Sequence, residues 1–308
     1  MDGILIIDKP VDWTSHDVVS RARRILRTRR IGHTGTLDPF ATGVLVLCIG
    51  RFTRLAQFLS GEEKQYHAVM RLGFATDTGD LTGTAVEPHH DPLHISAADI
   101  DLAMNEFRGR IDQVPPMYAA KKVAGVRLYE MARRGEVIAR KPVQVDIKKL
   151  EIDESTASLP PDHVAFRVVC SAGTYIRTLA EEIGQRLGVG AHLVSLRRTR
   201  AGSCVLKSAL TLDQLEEEVL AGRLEDAFQP VTTILGFPVI TLDEREERVV
   251  RNGAAVDCGK LIENGERAIL CNLSGEPLAI AEFDAAQAKW QPRVVVAPDE
   301  AQMDNVEG

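Results

Sequence analysis

The longest uninterrupted apolar run in the sequence covers only residues 44–49. A membrane-crossing helix needs about 20 such residues, so nothing here predicts a bilayer span. A run of this length closed by Gly43 and Gly50 instead predicts a buried strand. Residues 3–7 predict a second short strand that enters a Lys9-Pro10 turn. Thr14-Ser15 offers N-cap chemistry to a helix with Val18, Ala22, Ile25 and Leu26 as its apolar stripe. Further along, the pattern predicts a short helix over 54–59, a strand over 66–74, and a Gly/Pro/His-rich surface excursion at 83–94. A helix capped by Ser96 follows over 96–107. A strand at 164–170 then leads through a 171–174 turn into a helix at 175–187, closed by Gly188. Strands and helices are interspersed without regular βαβ alternation, which favours an α+β fold.

The composition, 44% hydrophobic and 26% charged, excludes a wholly disordered or fibrous chain. The net charge of −7 speaks against a polyanionic partner only until it is divided along the chain. Residues 1–210 hold 29 Lys+Arg against 24 Asp+Glu, a net of +5, whereas residues 211–308 hold 8 against 20, a net of −12. The first part can therefore hold a nucleic acid, and the last part adds little attraction. Five cysteines (Cys48, Cys170, Cys204, Cys258, Cys271) are odd in number and lack a C-x-x-C pair. Neither a disulfide framework nor a zinc site is expected, and reduced thiols in the cytoplasm are the default. Asp2 stands where a signal peptide needs basic residues, so no targeting segment is expected.

The C-terminal part predicts an acidic amphipathic helix over 213–224. Phe228-Gln229-Pro230-Val231 and Gly236-Phe237-Pro238 then read as a linker. Short strand-like runs follow at 239–242, 268–272, 277–283 and 293–296, which suggest a small β module of roughly 60–70 residues. The expected division is 1–232 and 237–298, with an acidic, disordered tail at 299–308.

Chemistry concentrates in Gly32-His33-Thr34-Gly35-Thr36-Leu37-Asp38-Pro39-Phe40-Ala41-Thr42-Gly43. Glycines let the backbone turn tightly or approach a ligand, and Pro39 biases Asp38 toward an extended conformation that presents its carboxylate. The same residues also fit a plain β-turn with Asp38 as turn former. In Ser171-Ala172-Gly173-Thr174-Tyr175-Ile176-Arg177 an arginine follows a Gly-Thr turn. It can pair with a carboxylate, or sit as a surface arginine on an amphipathic helix. Lys64-Gln65-Tyr66 opens a strand, where an aromatic serves packing or function. Three basic clusters complete the inventory: Arg21 to Arg30, a belt from Lys121-Lys122 to Lys148-Lys149 with Tyr118 and Tyr129 between, and Arg197, Arg198 and Arg200. Three such runs in one half favour a phosphate-tracking surface.

Taken together, these segments resemble the bacterial tRNA pseudouridine(55) synthases, the TruB family. The resemblance rests on the Gly32–Gly43 motif and spans most of the first 230 residues. It includes Asp8-Lys9-Pro10 with Thr14-Ser15-His16-Asp17, Lys64-Gln65-Tyr66 and Thr76-Asp77-Thr78-Gly79-Asp80. It continues through Val114-Pro115-Pro116-Met117-Tyr118-Ala119-Ala120-Lys121, Gly173-Thr174-Tyr175-Ile176-Arg177 and Leu196-Arg197-Arg198-Thr199. The C-terminal module resembles the PUA-like RNA-binding domain of such enzymes. The resemblance implies a pseudouridine synthase fold, a mixed sheet with a central catalytic cleft. It implies Asp38 as nucleophile paired with Arg177, and Tyr66 stacked on the target base and handling the C5 proton. Tyr175 and Leu196 would line the pocket, His33 would fill the space left in the RNA, Asp80 would contact the flipped nucleotide, and Lys9 and Pro10 would support the floor. Asp12 departs from the family's usual glycine, which puts the local turn geometry in doubt, and Ala119 replaces a frequent serine.

The implied partner is the T stem-loop of tRNA, met by a monomer with no metal and no cofactor. His89-His90 and His94 read as solvated loop residues. A guide-RNA-dependent enzyme of the dyskerin type and a non-catalytic tRNA-binding or tRNA-folding protein are the alternatives. The 83–98 excursion and the lack of lysine-rich tails favour a stand-alone enzyme, and the joint presence of Asp38, Tyr66 and Arg177 favours catalysis.

Overall fold

A computed structural model describes residues 1–86, 88–118, 122–123, 126–127, 131, 134, 138–257 and 265–297. Cys258, Tyr129, Arg133, Ala119 to Lys121 and the acidic tail at 299–308 lie outside the described residues.

A nine-stranded sheet organises the larger part of the chain. Across it, the order is Gly3–Lys9, Thr42–Ile49, Ala191–Ala201, Lys64–Leu72, His163–Cys170, Val143–Ile152 and Gly109–Gln113, with Ile31–His33 and Cys204–Val205 attached to the side. These neighbours along the main order are antiparallel except at one junction. There Thr42–Ile49 meets Ala191–Ala201 in parallel through only two residue pairs, Arg197↔Thr42 and Arg198↔Gly43. The sheet is therefore barely stitched in its middle, and the loop carrying Asp38 enters at that seam.

The burial of each strand follows from its alternation. In Lys64–Leu72, residues Tyr66, Ala68, Met70 and Leu72 face a core they share with Leu179, Ala180 and Ile183 of the helix Ile176–Arg186 and with Ile100, Ala103 and Met104 of the helix Ala97–Asn105. Thr42–Ile49 is apolar on both faces because it serves two cores. Leu45, Leu47 and Ile49 meet Val18, Val19, Ala22 and Ile25 of the helix Ser15–Ile25. Val44, Val46 and Cys48 meet the C-terminal sheet. The Ser15–Ile25 helix starts as its sequence dictates, with Thr14 and Asp17 forming a reciprocal capping box. Ser96 and Asp99 do the same for Ala97–Asn105.

The C-terminal sheet runs Val239–Thr241, Arg267–Cys271, Pro277–Asp284 and Lys289–Val295, with the first pair parallel. One face packs around Trp290 and Phe283 beneath the helix Glu244–Arg251. From the other face, Ile269, Ile280 and Val294 join the core of the large sheet.

Several expectations need correction. The acidic helix stops at Leu220 rather than 224, because Gly222 turns left-handed (φ 72°) and a separate turn, Leu224–Ala227, follows. The expected linker is packed. Gln229 N donates to Ile4 O, the Phe228 ring fills the space a side chain at Gly3 would need, and Phe237 stacks edge-on against Phe58 at 6.1 Å. His89 is not merely solvated but stacks on Phe74 at 4.7 Å. Asp12 adopts φ 64°, the left-handed conformation for which a glycine is the unstrained choice.

Candidate active site

The segment 34–41 forms the rim of the seam, and four independent ties fix its course. Leu37 N donates to the buried Ser15 Oγ at 2.9 Å. Pro39 O accepts from Lys9 Nζ at 3.1 Å and from Asp12 N at 2.9 Å. Ala41 N closes a turn onto Asp38 O at 3.1 Å. Gly35 O accepts from Arg198 Nη2 at 3.1 Å. Asp38 is thus held from both neighbours, with its carboxylate pointing into a cleft of about 270 Å³.

Arg177 meets that carboxylate side-on. Its Nε lies 2.9 Å from Asp38 Oδ2 and its Nη2 donates to Oδ1 at 3.1 Å. Only 4% of the Arg177 side chain is exposed, against 32% for Asp38. The remaining guanidinium hydrogens go to Thr78 O at 2.8 Å and Tyr118 O at 2.6 Å, and Asp80 Oδ2 stands 3.7 Å from Nη1. Arg177 therefore sits between two carboxylates and two carbonyls, an arrangement whose planar fork a lysine cannot reproduce. Burial, together with the nearby Asp80, raises the Asp38 carboxyl above its ordinary range, and Arg177 counteracts that rise.

Arg177 owes its placement to the residue two before it. Tyr175 caps the Ile176–Arg186 helix, and the buried Gln113 grips both of its backbone groups, accepting from Tyr175 N at 2.7 Å and donating to Tyr175 O at 3.0 Å. Tyr66, 9% exposed, lines the same cleft, as do Leu196, Lys64 and Arg198. Burial raises the Tyr66 phenol, against the influence of Arg198. The Lys64 ammonium, donating to Ser60 O at 2.8 Å, is pushed down to about 8 by burial and by Arg198.

The cleft gathers Asp38, Tyr66, Tyr175, Arg177 and Leu196. It does not gather the other four expected residues. Lys9 is fully buried behind the loop, donating to the carbonyls of Pro10, Trp13 and Pro39, and burial lowers its amine to about 8. Pro10 contributes only its carbonyl to that clasp. His33 ends the strand Ile31–His33 outside the cleft lining, its imidazole pushed toward the neutral form by burial and by Arg198. Asp80 lies behind Arg177, its Oδ1 accepting from Thr78 Oγ1, Thr82 N and Thr82 Oγ1 at 2.9, 2.9 and 2.6 Å.

Comparison with known proteins follows from this geometry. The model of the TruB family pseudouridylate synthase N-terminal domain matches residues 23–176, and that of the tRNA pseudouridylate synthase B C-terminal domain matches residues 177–236. The chain belongs to the TruB family of pseudouridylate synthases. Among TruB family relatives, tRNA pseudouridine synthase B of Solibacter usitatus (strain Ellin6076) is 44% identical over 256 residues, 82% of this chain and 85% of that protein. The protein of the same name from Bacillus cytotoxicus is 41% identical over 82% of this chain and 83% of its own length. Two solved structures share the architecture. A chain from an H/ACA RNP bound to a substrate RNA containing 2′-deoxyuridine has a TM-score of 0.72 at 26% identity, covering 97% of this chain and 86% of that one. A chain from a Cbf5-Nop10-Gar1 complex has a TM-score of 0.73 at 29% identity, covering 96% and 85%. The C-terminal sheet of this TruB family member starts just beyond the second family match, which ends at residue 236.

The third basic cluster is not the phosphate-tracking surface its composition suggested. Arg197 pairs with Asp8 at 2.6 Å, Arg200 pairs with Glu63, and Arg198 is buried with Nε on Val44 O at 2.6 Å. Of the first cluster, Arg24, Arg27, Arg29 and Arg30 remain exposed. Of the second, Lys121 and Arg133 lie outside the described residues, while Arg140 donates to Pro115 O at 2.9 Å, Lys148 pairs with Glu63 and Lys149 with Glu151. Among the described residues no cluster of His, Cys, Asp and Glu could hold a metal ion, and no helix is long and apolar enough to cross a membrane.

Three residues of the site were not read from the sequence. Ser15 looked only like cap chemistry, Gln113 carried no local signal, and Arg198 was submerged in its arginine run.

Proposed function

We propose that this protein isomerises uridine to pseudouridine at position 55 in the T arm of tRNA, with the Asp38 carboxylate as nucleophile on a base flipped into the cleft. The observation that carries this reading is the side-on Asp38–Arg177 pair in a cleft that Tyr66 also lines. Family membership and relatives named tRNA pseudouridine synthase B support the reaction and the substrate class.

In the reaction the N1–C1′ bond breaks, the uracil turns, and C1′ bonds to C5, while the C5 proton is lost and N1 gains one. Extruding the base costs a few kcal/mol, offset by stacking on an aromatic and by phosphate contacts. Tyr66 supplies the aromatic face. The exposed Arg24, Arg27, Arg29 and Arg30 are suited to phosphates. Arg177 keeps a carboxylate that burial would otherwise neutralise available as an anion. Asp80 acts from behind, as a second carboxylate in ion-pair range of that arginine. Residues 237–298 serve in this reading as a PUA-like RNA-binding module on a catalytic domain spanning 1–232, and the enzyme works as a cytoplasmic monomer without a cofactor.

The test is pseudouridine mapping in a T-arm hairpin incubated with purified protein alone. Product at position 55, without guide RNA or accessory protein, is the expected result. Binding without product would refute it and favour an RNA-binding protein. Product only after a guide RNA is added would favour the guided mode of the H/ACA type.

A further inference from the structure

Arg198 sits in one of the two register pairs that join the two halves of the large sheet. On one side it pairs in register with Tyr66, and on the other with Gly43. Gly43 has φ 100°, and a Cβ there would stand 2.2 Å from Arg198 O, so the close approach requires glycine. The register shifts immediately after Arg198 on the Tyr66 side. A bulge of this kind re-aims a side chain, and this one turns inward rather than to solvent. With 3% exposure, the guanidinium donates to Val44 O at 2.6 Å and to Gly35 O at 3.1 Å. Those two bonds leave it beside Tyr66, its register partner, in the lining of the same cleft. Among the described residues its side-chain hydrogen bonds go to those two carbonyls, with no carboxylate in ion-pair contact. A buried cation without a counter-ion is a cost that a fold retains only where something else depends on it.

We propose that Arg198 is a positioning residue for the isomerisation: it anchors the nucleophile loop at Gly35 and, from the same guanidinium, orients the Tyr66 hydroxyl toward the reacting base. The inference rests on the proposed function and extends it, since it makes the nucleophile loop and Tyr66 one mechanical unit. Arg198 and Tyr66 are register partners on adjacent strands and both line the cleft, so a guanidinium fixed by two carbonyls is placed to constrain the phenol. A phenol free to rotate would spend most of its time misaligned for proton transfer.

The experiment is a double-mutant cycle of Arg198→Met and Tyr66→Phe, with Arg198→Lys as the variant that keeps charge without the fork. Single-turnover pseudouridine formation on a T-arm hairpin is measured beside melting temperature. A second readout is the NMR resonance of tyrosine labelled with ¹³C at Cζ, which resolves Tyr66 among only four tyrosines. Arg198→Met is expected to slow product formation by about 10²-fold, the low end for a positioned proton-transfer group. Its added loss in the Tyr66→Phe background should be smaller than its loss alone, the Gly35 anchor accounting for what remains, and it should shift the Tyr66 resonance in protein without RNA. Arg198→Lys should fold and recover part of the rate. A cycle in which the two losses multiply, or an unmoved Tyr66 resonance in Arg198→Lys, would overturn the proposal. An inactive wild type would instead overturn the functional reading, while the resonance would still report whether Arg198 holds Tyr66.

Discussion

Replacing Arg177 by methionine removes the cation while nearly keeping the volume, and it isolates the electrostatics of the cleft. Asp38 and Asp80 then face the vacated space, and Thr78 O and Tyr118 O lose their donor. Breaking a buried pair from one side costs about 3–5 kcal/mol. Because 32% of the Asp38 side chain reaches solvent, the lower end applies, near 3 kcal/mol. At roughly 2–4 °C per kcal/mol for larger domains, the melting temperature should fall by roughly 6–12 °C. The loss should depend on pH with a definite sign. The Asp38 carboxyl already lies above its ordinary range, and without Arg177 it rises further. The folded variant then holds a proton that the unfolded chain, with a carboxyl near 3.9, releases, so stability recovers as pH falls. Thermal and urea unfolding at pH 7.5 and pH 5 should show the deficit relative to wild type shrinking in acid. Asp38→Asn in the Arg177→Met background should likewise restore stability by removing one of the two like charges. A deficit independent of pH, or an Asp38→Asn change that destabilises the Arg177→Met protein further, would refute the reasoning.

Asp38→Asn alone should lose isomerisation by at least about 10⁴-fold while hairpin affinity stays within about tenfold, since phosphate contacts dominate binding; quench-flow and filter binding check the two halves. The acid limb of the wild-type rate profile should lie above pH 3.9, because the raised Asp38 carboxyl loses its charge sooner as pH falls. Tyr66→Phe should keep hairpin binding but release pseudouridine slowly, and Tyr66→Leu should weaken binding too. A fast Tyr66→Phe enzyme would leave only the stacking role. Gly43→Ala should cost about 3 kcal/mol in urea unfolding, because its Cβ meets Arg198 O and its φ is 100°. Truncation after Gly236 should lower the melting temperature and expose apolar surface to a hydrophobic dye, because Ile269, Ile280 and Val294 share a core with Ile4 and Val46; an unchanged melting transition would contradict that shared core.

The elements legible in the sequence were those whose signals are local. Thr14 with Asp17, Ser96 with Asp99 and the left-handed Gly188 delimit their helices as capping rules require. The longest strand, Ala191–Ala201, was missed because two register shifts interrupt its alternation and buried His192 and Arg198 disguise its inner face. Val143–Ile152 was missed for the same reason, with a shift between Ile147 and Lys149. The helix Glu244–Arg251 did announce itself through Asp243 and Glu246, a capping box that its wholly charged first turn obscured. Asp38, Tyr66 and Arg177 were singled out by the ordered motifs of the TruB resemblance, since local pattern alone left a turn aspartate, a packing aromatic and a surface arginine open. Arg198 and Gln113 were not, because what distinguishes them is a partner 163 or 62 residues away.

The strand Gly3–Lys9 is enclosed only by residues some 200 positions further along the chain. Gly3–Lys9 pairs along one edge with Thr42–Ile49, but its other edge is closed by Leu210, whose N–H donates to Ile6 O, and by Gln229, whose N–H donates to Ile4 O. Its remaining apolar face waits for Ile269 and Ile280. At synthesis rates of about 5–20 residues per second, that edge stays open for roughly 10–40 seconds after the strand itself is made. The nascent chain thus carries a largely apolar strand with one open edge until Leu210 and Gln229 arrive, a form prone to pair with a neighbouring chain. Its fate in the cell is decided by how quickly the C-terminal third arrives.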